Sequence, residues 1–206
     1  MPQTSDLAAR LRAATWSAHQ SAAGDAFVKG LLRGERTVAD YARLASQHLV
    51  IYRALEAAVA ASGSGLAASL HDPALERVAA IEADLAALGG RADPTPATAA
   101  YARHLAGLAA DPVRLAAHHY TRYLGDLSGG QHIGRALSRH FGEATTSFYR
   151  FAIDDLDAFK QQYRATLDAA GLVAVDERAL LDEAAHAYAA AHAVHASLAD
   201  EAAMVA

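Results

Sequence analysis

The chain has 206 residues, a formal net charge of −5 and no cysteine. Its length and its 53% hydrophobic residues predict one domain, residues 1–206, with a full core. Without cysteine it has no disulfides or thiolate ligands, and its negative charge argues against nucleic acid as a principal partner. The sequence shows neither a signal peptide nor an apolar run long enough to span a membrane. We therefore expect a cytoplasmic protein with no membrane anchor.

Alanine and leucine dominate and alternating patterns are scarce, which predicts an all-α, single-domain helical bundle. Start signals divide the chain into seven predicted helices and one short apolar turn. The helices begin at Ser5-Asp6, Thr37, Asp72-Pro73, Thr95-Pro96, Asp111-Pro112, Asp154 and Asp176, and the turn covers Phe27 to Leu32 after an interruption at Gly24-Asp25. We predict that the helix from Asp72 runs unbroken to Leu88 and that the last helix ends near Asp200.

The helix that begins at Asp111 carries a glycine-rich stretch between Tyr120 and Arg135. Its four glycines are Gly125, Gly129, Gly130 and Gly134. Each costs about 1 kcal/mol relative to alanine in a helix interior, so the stretch is interpreted as space for a flat ligand, or as a kink. Asp126 and Ser128 place polar groups among the glycines. Close helix packing through small residues is the alternative.

One stripe of the first helix carries Arg12, Trp16 and His19, and apolar residues follow in the next turn. An imidazole beside a cation and apolar bulk suits a haem, with His19 bound to iron and Arg12 near a propionate. From spacing alone, a structural histidine is the more common alternative.

Three further groups of residues have competing interpretations. Lys160 and Arg164 share a helix face and form either a carboxylate clamp or a solvated basic face. Glu183 and His186 form one E-x-x-H, whereas a di-iron bundle requires two, which makes a di-iron protein the weaker hypothesis. His118 and His119 are adjacent on a helix, point in different directions and cannot jointly hold one metal.

The segment Y-T-R-Y-L-G-D-L-S-G-G-Q, from Tyr120 to Gln131, resembles the distal-helix signature of the haem oxygenases. Further counterparts follow the family's order and cover nearly the whole chain: I-Y-R-A-L-E at Ile51, F-Y-R-F at Phe148 and F-K-Q-Q-Y-R at Phe159. D-P-A-L-E-R at Asp72 is similar to the soluble bacterial members. This resemblance implies a haem sandwiched between a proximal helix and a kinked, glycine-rich distal helix.

The resemblance also implies roles for the matching residues. His19 matches the proximal iron ligand, and Asp126 matches the distal aspartate that holds a water network together with Arg122. The predicted catalytic residues are Asp126, Arg122, Gly125 and Gly129. The predicted haem-binding residues are His19, Arg12, Tyr120, Ser128, Gly130, Lys160 and Arg164.

The activity implied is oxidative cleavage of haem by O2 to biliverdin, expected to be the α isomer, with release of CO and Fe2+. Haem is then both cofactor and substrate. We expect a monomer that receives electrons from ferredoxin and its reductase, or from a flavin reductase, at a basic patch around Arg12, Lys29, Arg33, Lys160 and Arg164. Departures from the family at Asp155, Tyr188, Ala191 and His195 leave the regiochemistry open. A haem carrier or sensor that does not turn over is the alternative.

Overall fold

The computed structural model describes residues 6–23 and 26–205, with side chains described for 6–16 and 26–200. These residues form helices, short turns and loops without any strand, so the all-α prediction is confirmed. The α-helices in the described part are α1 (Leu7–Ala23), α2 (Ala26–Leu32), α3 (Val38–Ser62), α4 (Leu66–Leu70), α5 (Val78–Leu88), α6 (Pro96–Gly107), α7 (Pro112–His119), α8 (Gln131–Phe141), α9 (Leu156–Asp168) and α10 (Ala174–Val205). No helix of this described part has both the length and the apolar character to cross a membrane.

Local capping explains the helix starts that the sequence predicted correctly. Thr37 accepts a hydrogen bond from the backbone N–H of Asp40 at 3.1 Å, and the Asp40 carboxylate accepts one from the backbone N–H of Thr37 at 3.0 Å. The side chains of Thr95 and Asp111 cap α6 and α7, each with proline at the first helical position. These starts depend on residues within one turn, so the sequence alone is sufficient to place them.

The unbroken helix predicted from Asp72 to Leu88 is wrong. Asp72 caps only a short 3₁₀ turn, Pro73–Leu75, and α5 begins at Val78. The Glu56 carboxylate of α3 accepts hydrogen bonds from the backbone N–H groups of Arg77 at 2.6 Å and Val78 at 3.2 Å. The chain therefore breaks where a distant carboxylate satisfies the first N–H groups of α5.

Both predicted limits of the last helix differ from the structure. Asp176 lies inside the first turn of α10, because the Val173 carbonyl already accepts hydrogen bonds from the N–H groups of Asp176 and Glu177, and the helix runs on to Val205 instead of ending near Asp200. The predicted apolar turn at Phe27 to Leu32 is part of helix α2, and the short helix α4 was not predicted. Gly24-Asp25, the predicted interruption, lies outside the described residues.

Small side chains bring the long helices close together. Ala116 and Ala117 of α7 and Ala184 and Ala187 of α10 are fully buried, and α7 packs directly on α10. α1 packs against both α9 and α10. This packing leaves an opening between α1, α9, α10 and the segment that joins α7 to α8.

The joining segment contains two π-helical turns, Tyr120–Leu124 and Asp126–Gly130. Backbone angles at Gly125, between the turns, are helical, so the chain remains helical from α7 into α8. A π turn is wider than an α turn and is often found at functional sites, where it also accounts for kinks. The predicted distal helix is therefore present, and its irregular part extends from Tyr120 to Gly130.

Candidate functional site

An open cavity of about 500 Å³ lies between α1 and the glycine-rich segment. The predicted site residues that line it are Arg12, Tyr120, Gly125, Ser128, Gly129 and Arg164. The rest of its wall is formed by Asp6, Ala8, Ala9, Thr15, Trp16, Leu124, Asp168 and Tyr188. The structure thus brings together residues that are far apart in the sequence, from Asp6 to Tyr188.

The four glycines of the segment divide into two pairs. A Cβ atom added at Gly125 or Gly129 would meet no neighbouring atom within 4 Å, and both residues line the cavity. At Gly134 an added Cβ would lie 2.6 Å from the Tyr149 Cβ, and at Gly130 it would lie 3.4 Å from Tyr149 Cδ1. The first pair keeps the cavity open, and the second permits close packing on Tyr149. Gly130, predicted to bind a cofactor, therefore faces Tyr149 and is not part of the cavity wall.

The opposite wall is the exposed stripe of α1. Trp16 is 49% exposed and presents its indole to the cavity, and the Arg12 guanidinium carbon lies 5.9 Å from the centre of the indole. Thr15 is buried and donates a hydrogen bond to the Leu11 carbonyl at 2.8 Å. His19 falls three residues after Trp16 in α1, and its side chain lies outside the described residues.

Charged side chains of both signs stand at the rim. Arg12 and Arg164 line the cavity together with Asp6 and Asp168. The Asp168 carboxylate accepts a hydrogen bond from the Ala8 backbone N–H at 2.9 Å and so connects α9 to α1. Lys160, one turn before Arg164, pairs with Asp157 at 2.7 Å and does not line the cavity.

Tyr120 and Tyr188 supply the phenol groups of the wall. Burial raises the pKa of Tyr120 to about 12, so its hydroxyl stays protonated at neutral pH. Burial also raises the pKa of Tyr188, although its hydrogen bond with Thr15 opposes the shift. Both side chains are therefore neutral hydrogen-bonding groups.

Asp126 lies behind the glycine wall, where its carboxylate accepts a hydrogen bond from the Tyr52 hydroxyl. Burial raises the pKa of Asp126 to about 6, with the Arg122 charge and the Tyr52 hydrogen bond opposing the shift. Burial acts to lower the pKa of Arg122, but attraction to Tyr52 and Asp126 outweighs it and the net shift is upward. The site therefore holds a permanently charged guanidinium beside a carboxyl group that exchanges its proton near neutral pH.

Sequence reasoning did not identify Tyr52 as part of this network. Tyr52 is on α3, 74 residues before Asp126, and its ring lies 4.9 Å from the Arg122 guanidinium carbon. The motif I-Y-R-A-L-E contains it, but nothing in the motif indicates its partner. The sequence showed only that Tyr52 lies within a predicted helix.

The residues at which the chain departs from the family pattern have different positions. Tyr188 lines the cavity, whereas Ala191 and His195 do not. The Asp155 carboxylate caps α9 by accepting hydrogen bonds from the N–H groups of Asp157 at 3.1 Å and Ala158 at 2.9 Å. Of these residues, only Tyr188 is placed to affect a molecule in the cavity directly.

The site suits a flat, largely apolar ligand with anionic groups at its edge. Its volume falls within the usual range of about 300–1,000 Å³ for small-molecule sites. Two glycines leave part of one wall without side chains, an exposed tryptophan lies on the other, and two arginines stand at the rim. Arginine is well suited to hold carboxylates through paired hydrogen bonds.

Comparison with known proteins agrees with this geometry. The family model described as Heme oxygenase matches residues 5–197. Heme oxygenase 1 of Nostoc sp. is 36% identical over 200 residues, covering 90% of this chain and 82% of the relative. The crystal structure of heme oxygenase-2 from Synechocystis sp., in complex with heme and NO, aligns with a TM-score of 0.88 at 31% identity, covering 95% of this chain and 86% of the other. That of heme oxygenase-1 from the same organism, in complex with heme, aligns with a TM-score of 0.86 at 29% identity, covering 97% of each chain.

Proposed function

The chain belongs to the haem oxygenase family, and from this premise we propose how its residues share the work of haem cleavage. It is a haem oxygenase, an enzyme that binds haem as both cofactor and substrate. Bound haem supplies the iron that activates O2 and the ring that is opened, giving biliverdin, CO and Fe2+. The protein holds the ring, keeps its distal face open and delivers protons there.

Haem binding is assigned to the two walls and the rim of the cavity. His19 is the proposed axial ligand, on the same helix as Trp16, whose exposed indole would be covered by the ring. Arg12, Arg164 and Tyr120 would hold the propionates, and Ser128 offers a hydroxyl at the distal wall. Lys160 would join them by releasing Asp157, and Gly130 would act through its packing behind Gly129.

Proton delivery is assigned to Asp126. Its Oδ2 atom is held by Tyr52, which leaves Oδ1 to exchange protons through ordered water. The Nε–H of Arg122 is buried without a hydrogen-bond partner among the described residues, so this donor is left for the same water. A carboxyl group with a pKa of about 6 can both accept and release a proton at neutral pH.

The remaining proposals concern the product isomer, the oligomeric state, the electron donor and the location. They follow from the family resemblance and from the cations at the cavity rim. The α isomer is the proposed product, formed by a monomer of one domain, residues 1–206. The exposed cations Arg12, Lys29, Arg33 and Arg164 favour an acidic donor such as ferredoxin with its reductase, or a flavin reductase. The proposed location is the cytoplasm. A carrier without turnover is not favoured, because the curated relatives are enzymes.

The open wall at Gly125 and Gly129 is the observation that carries this proposal. Gly129→Leu should fold, because no neighbouring atom lies within 4 Å of an added Cβ, yet hemin affinity should fall about tenfold or more, because the side chain would extend into the ring's space. The matched control is Gly107→Leu, at the exposed end of α6 with equally free space around an added Cβ. Hemin titration followed by absorbance checks both variants. Wild-type affinity in Gly129→Leu would contradict the placement of the haem.

A further inference from the structure

A second cluster of chemically active side chains lies away from the haem cavity. It joins His104 of α6, His118 of α7, and Glu183 and His186 of α10. One Glu183 carboxylate oxygen lies 2.5 Å from His104 Nε2 and 2.8 Å from His118 Nε2. The ring centres of His104 and His186 are 4.5 Å apart. One potential ligand atom from each of His104, Glu183 and His186 lies within 4.8 Å of the other two.

Residue spacing on α10 and the packing of α6 against it bring these groups together. Glu183 and His186 are three residues apart and share a face of α10. α6 packs on this face and presents His104. Tyr188, two positions after His186, lies about 200° around the helix and lines the haem cavity. α10 therefore separates the cluster from the haem site.

The hydrogen bonds hold Glu183 in place within the cluster. Glu183 is buried, and one of its carboxylate oxygens contacts both His104 and His118. His118 donates to Glu183 through Nε2–H, and its Nδ1 accepts from the Tyr101 hydroxyl at 3.0 Å. The Tyr101–His118 pair thus orients the carboxylate, as the outer partners of metal ligands do.

Two imidazoles and a carboxylate are a common donor set for Zn2+, and for ferrous iron in sites that keep open positions. With metal–ligand bonds of about 2.0–2.2 Å, tetrahedral ligand atoms lie roughly 3.4 Å apart. The present atoms lie within 4.8 Å, so small side-chain rotations suffice. His186 is exposed, so water can reach the remaining coordination positions.

We propose that His104, Glu183 and His186 form a binding site for one divalent first-row transition-metal ion, distinct from the haem site. The di-iron hypothesis from the sequence was weak, because the chain has one E-x-x-H motif and a di-iron bundle requires two. The structure completes that motif differently, because His104 comes from α6 and the resulting set suits a single ion.

Zinc is the probe, and the haem-loaded enzyme and the apoprotein are both dialysed against Zn2+, with bound metal counted by mass spectrometry. We expect one equivalent in both forms. His186→Asn and His104→Asn should each weaken binding about tenfold or more. His132→Asn, an exposed histidine of α8 outside the cluster, is the matched control and should bind as wild type.

Three results would overturn the site: no saturable uptake by the wild type, unchanged affinity in both cluster variants, or uptake that disappears on haem loading. The last would place the ion in the haem cavity. Since a hydrogen-bonded network without metal would also lose stability on substitution, melting is recorded with and without zinc. The site requires a zinc-dependent rise in the wild type that His186→Asn lacks. None of these readouts depends on haem turnover.

Discussion

At the scale of single residues, the distal network depends on one half-buried acid, Asp126, on whose pKa its surroundings have opposing effects. Burial favours the protonated form of Asp126, while Arg122 and Tyr52 favour the charged form, and the pKa settles at about 6. In an unfolded chain the carboxyl group has its ordinary pKa of 3.8. Folding therefore strengthens proton binding at Asp126, and the stability of the apoprotein must depend on pH.

We predict that this dependence has a definite sign. Because the folded state holds the proton more tightly, the contribution is complete below pH 3.8 and is lost as pH rises through about 6. The difference between these two pKa values corresponds to roughly 3 kcal/mol in the free energy of unfolding. Asp126→Asn should remove this pH-dependent contribution. The wild type loses it between pH 4 and 7 and the variant does not, so the stability of the variant relative to wild type should rise over this range. Urea unfolding of the apoprotein across this range measures the difference.

The control is Asp157→Asn. This carboxylate is exposed, and its hydrogen bond to Lys160 lowers its pKa, so its linkage has the opposite sign. A flat profile for Asp126→Asn relative to wild type, or one that falls with pH, would contradict the buried, proton-exchanging acid.

The sequence identified Asp126 and Arg122 but not their partner. Tyr52 reaches Asp126 from α3, and such long-range pairings leave no local trace. The same holds for His119, whose Nδ1 lies 2.8 Å from the Tyr163 hydroxyl of α9. The sequence did predict that His118 and His119 point apart, because that follows from helix geometry alone, and the structure confirms it.

At the scale of elements, the glycine-rich stretch from Tyr120 to Arg135 has two faces. Gly125 and Gly129 face the cavity, and Gly130 and Gly134 face Tyr149. The two interpretations available from the sequence, space for a ligand and close packing, both apply, to different glycines. Only the folded structure distinguishes the two pairs, because Tyr149 packs against one pair and the cavity adjoins the other.

This division predicts opposite effects of alanine. Gly125→Ala should raise apoprotein stability by up to about 1 kcal/mol, because alanine favours the helix and its Cβ meets nothing. Gly134→Ala should lower it by about 1–3 kcal/mol, because its Cβ would lie 2.6 Å from Tyr149 Cβ. Denaturant unfolding of the two variants measures the difference. Equal effects would show that the glycines do not face in different directions.

Helix boundaries, like side-chain pairs, could be predicted from the sequence only where the contacts that set them are local. Starts capped within one turn, at Thr37, Thr95 and Asp111, were predicted from the sequence. The start of α5 was not, because Glu56 lies more than 20 residues before it. The buried Arg77 guanidinium adds to that break by donating to the Arg150 carbonyl at 2.8 Å.

At the scale of the whole molecule, the cavity exists because four parts of the chain meet at one place. α1 supplies Trp16 and Arg12, α9 supplies Arg164, α10 supplies Tyr188, and the glycine-rich segment closes the other side. The family's motifs, spread in order along the chain, were sufficient to predict this fold and its ligand. The sequence identified Glu183 and His186 as one E-x-x-H but not their partners His104 and His118, because these come from two other helices.

The most direct test of the account is turnover of the haem complex. One equivalent of hemin is bound, and ferredoxin, its reductase and NADPH are added under air while the absorption spectrum is recorded. The account predicts that the Soret band decays into the broad red absorption of biliverdin with CO released, and that Asp126→Ala keeps the Soret band but forms little biliverdin. A Soret band that stays unchanged in the wild type through many equivalents of electrons would contradict it.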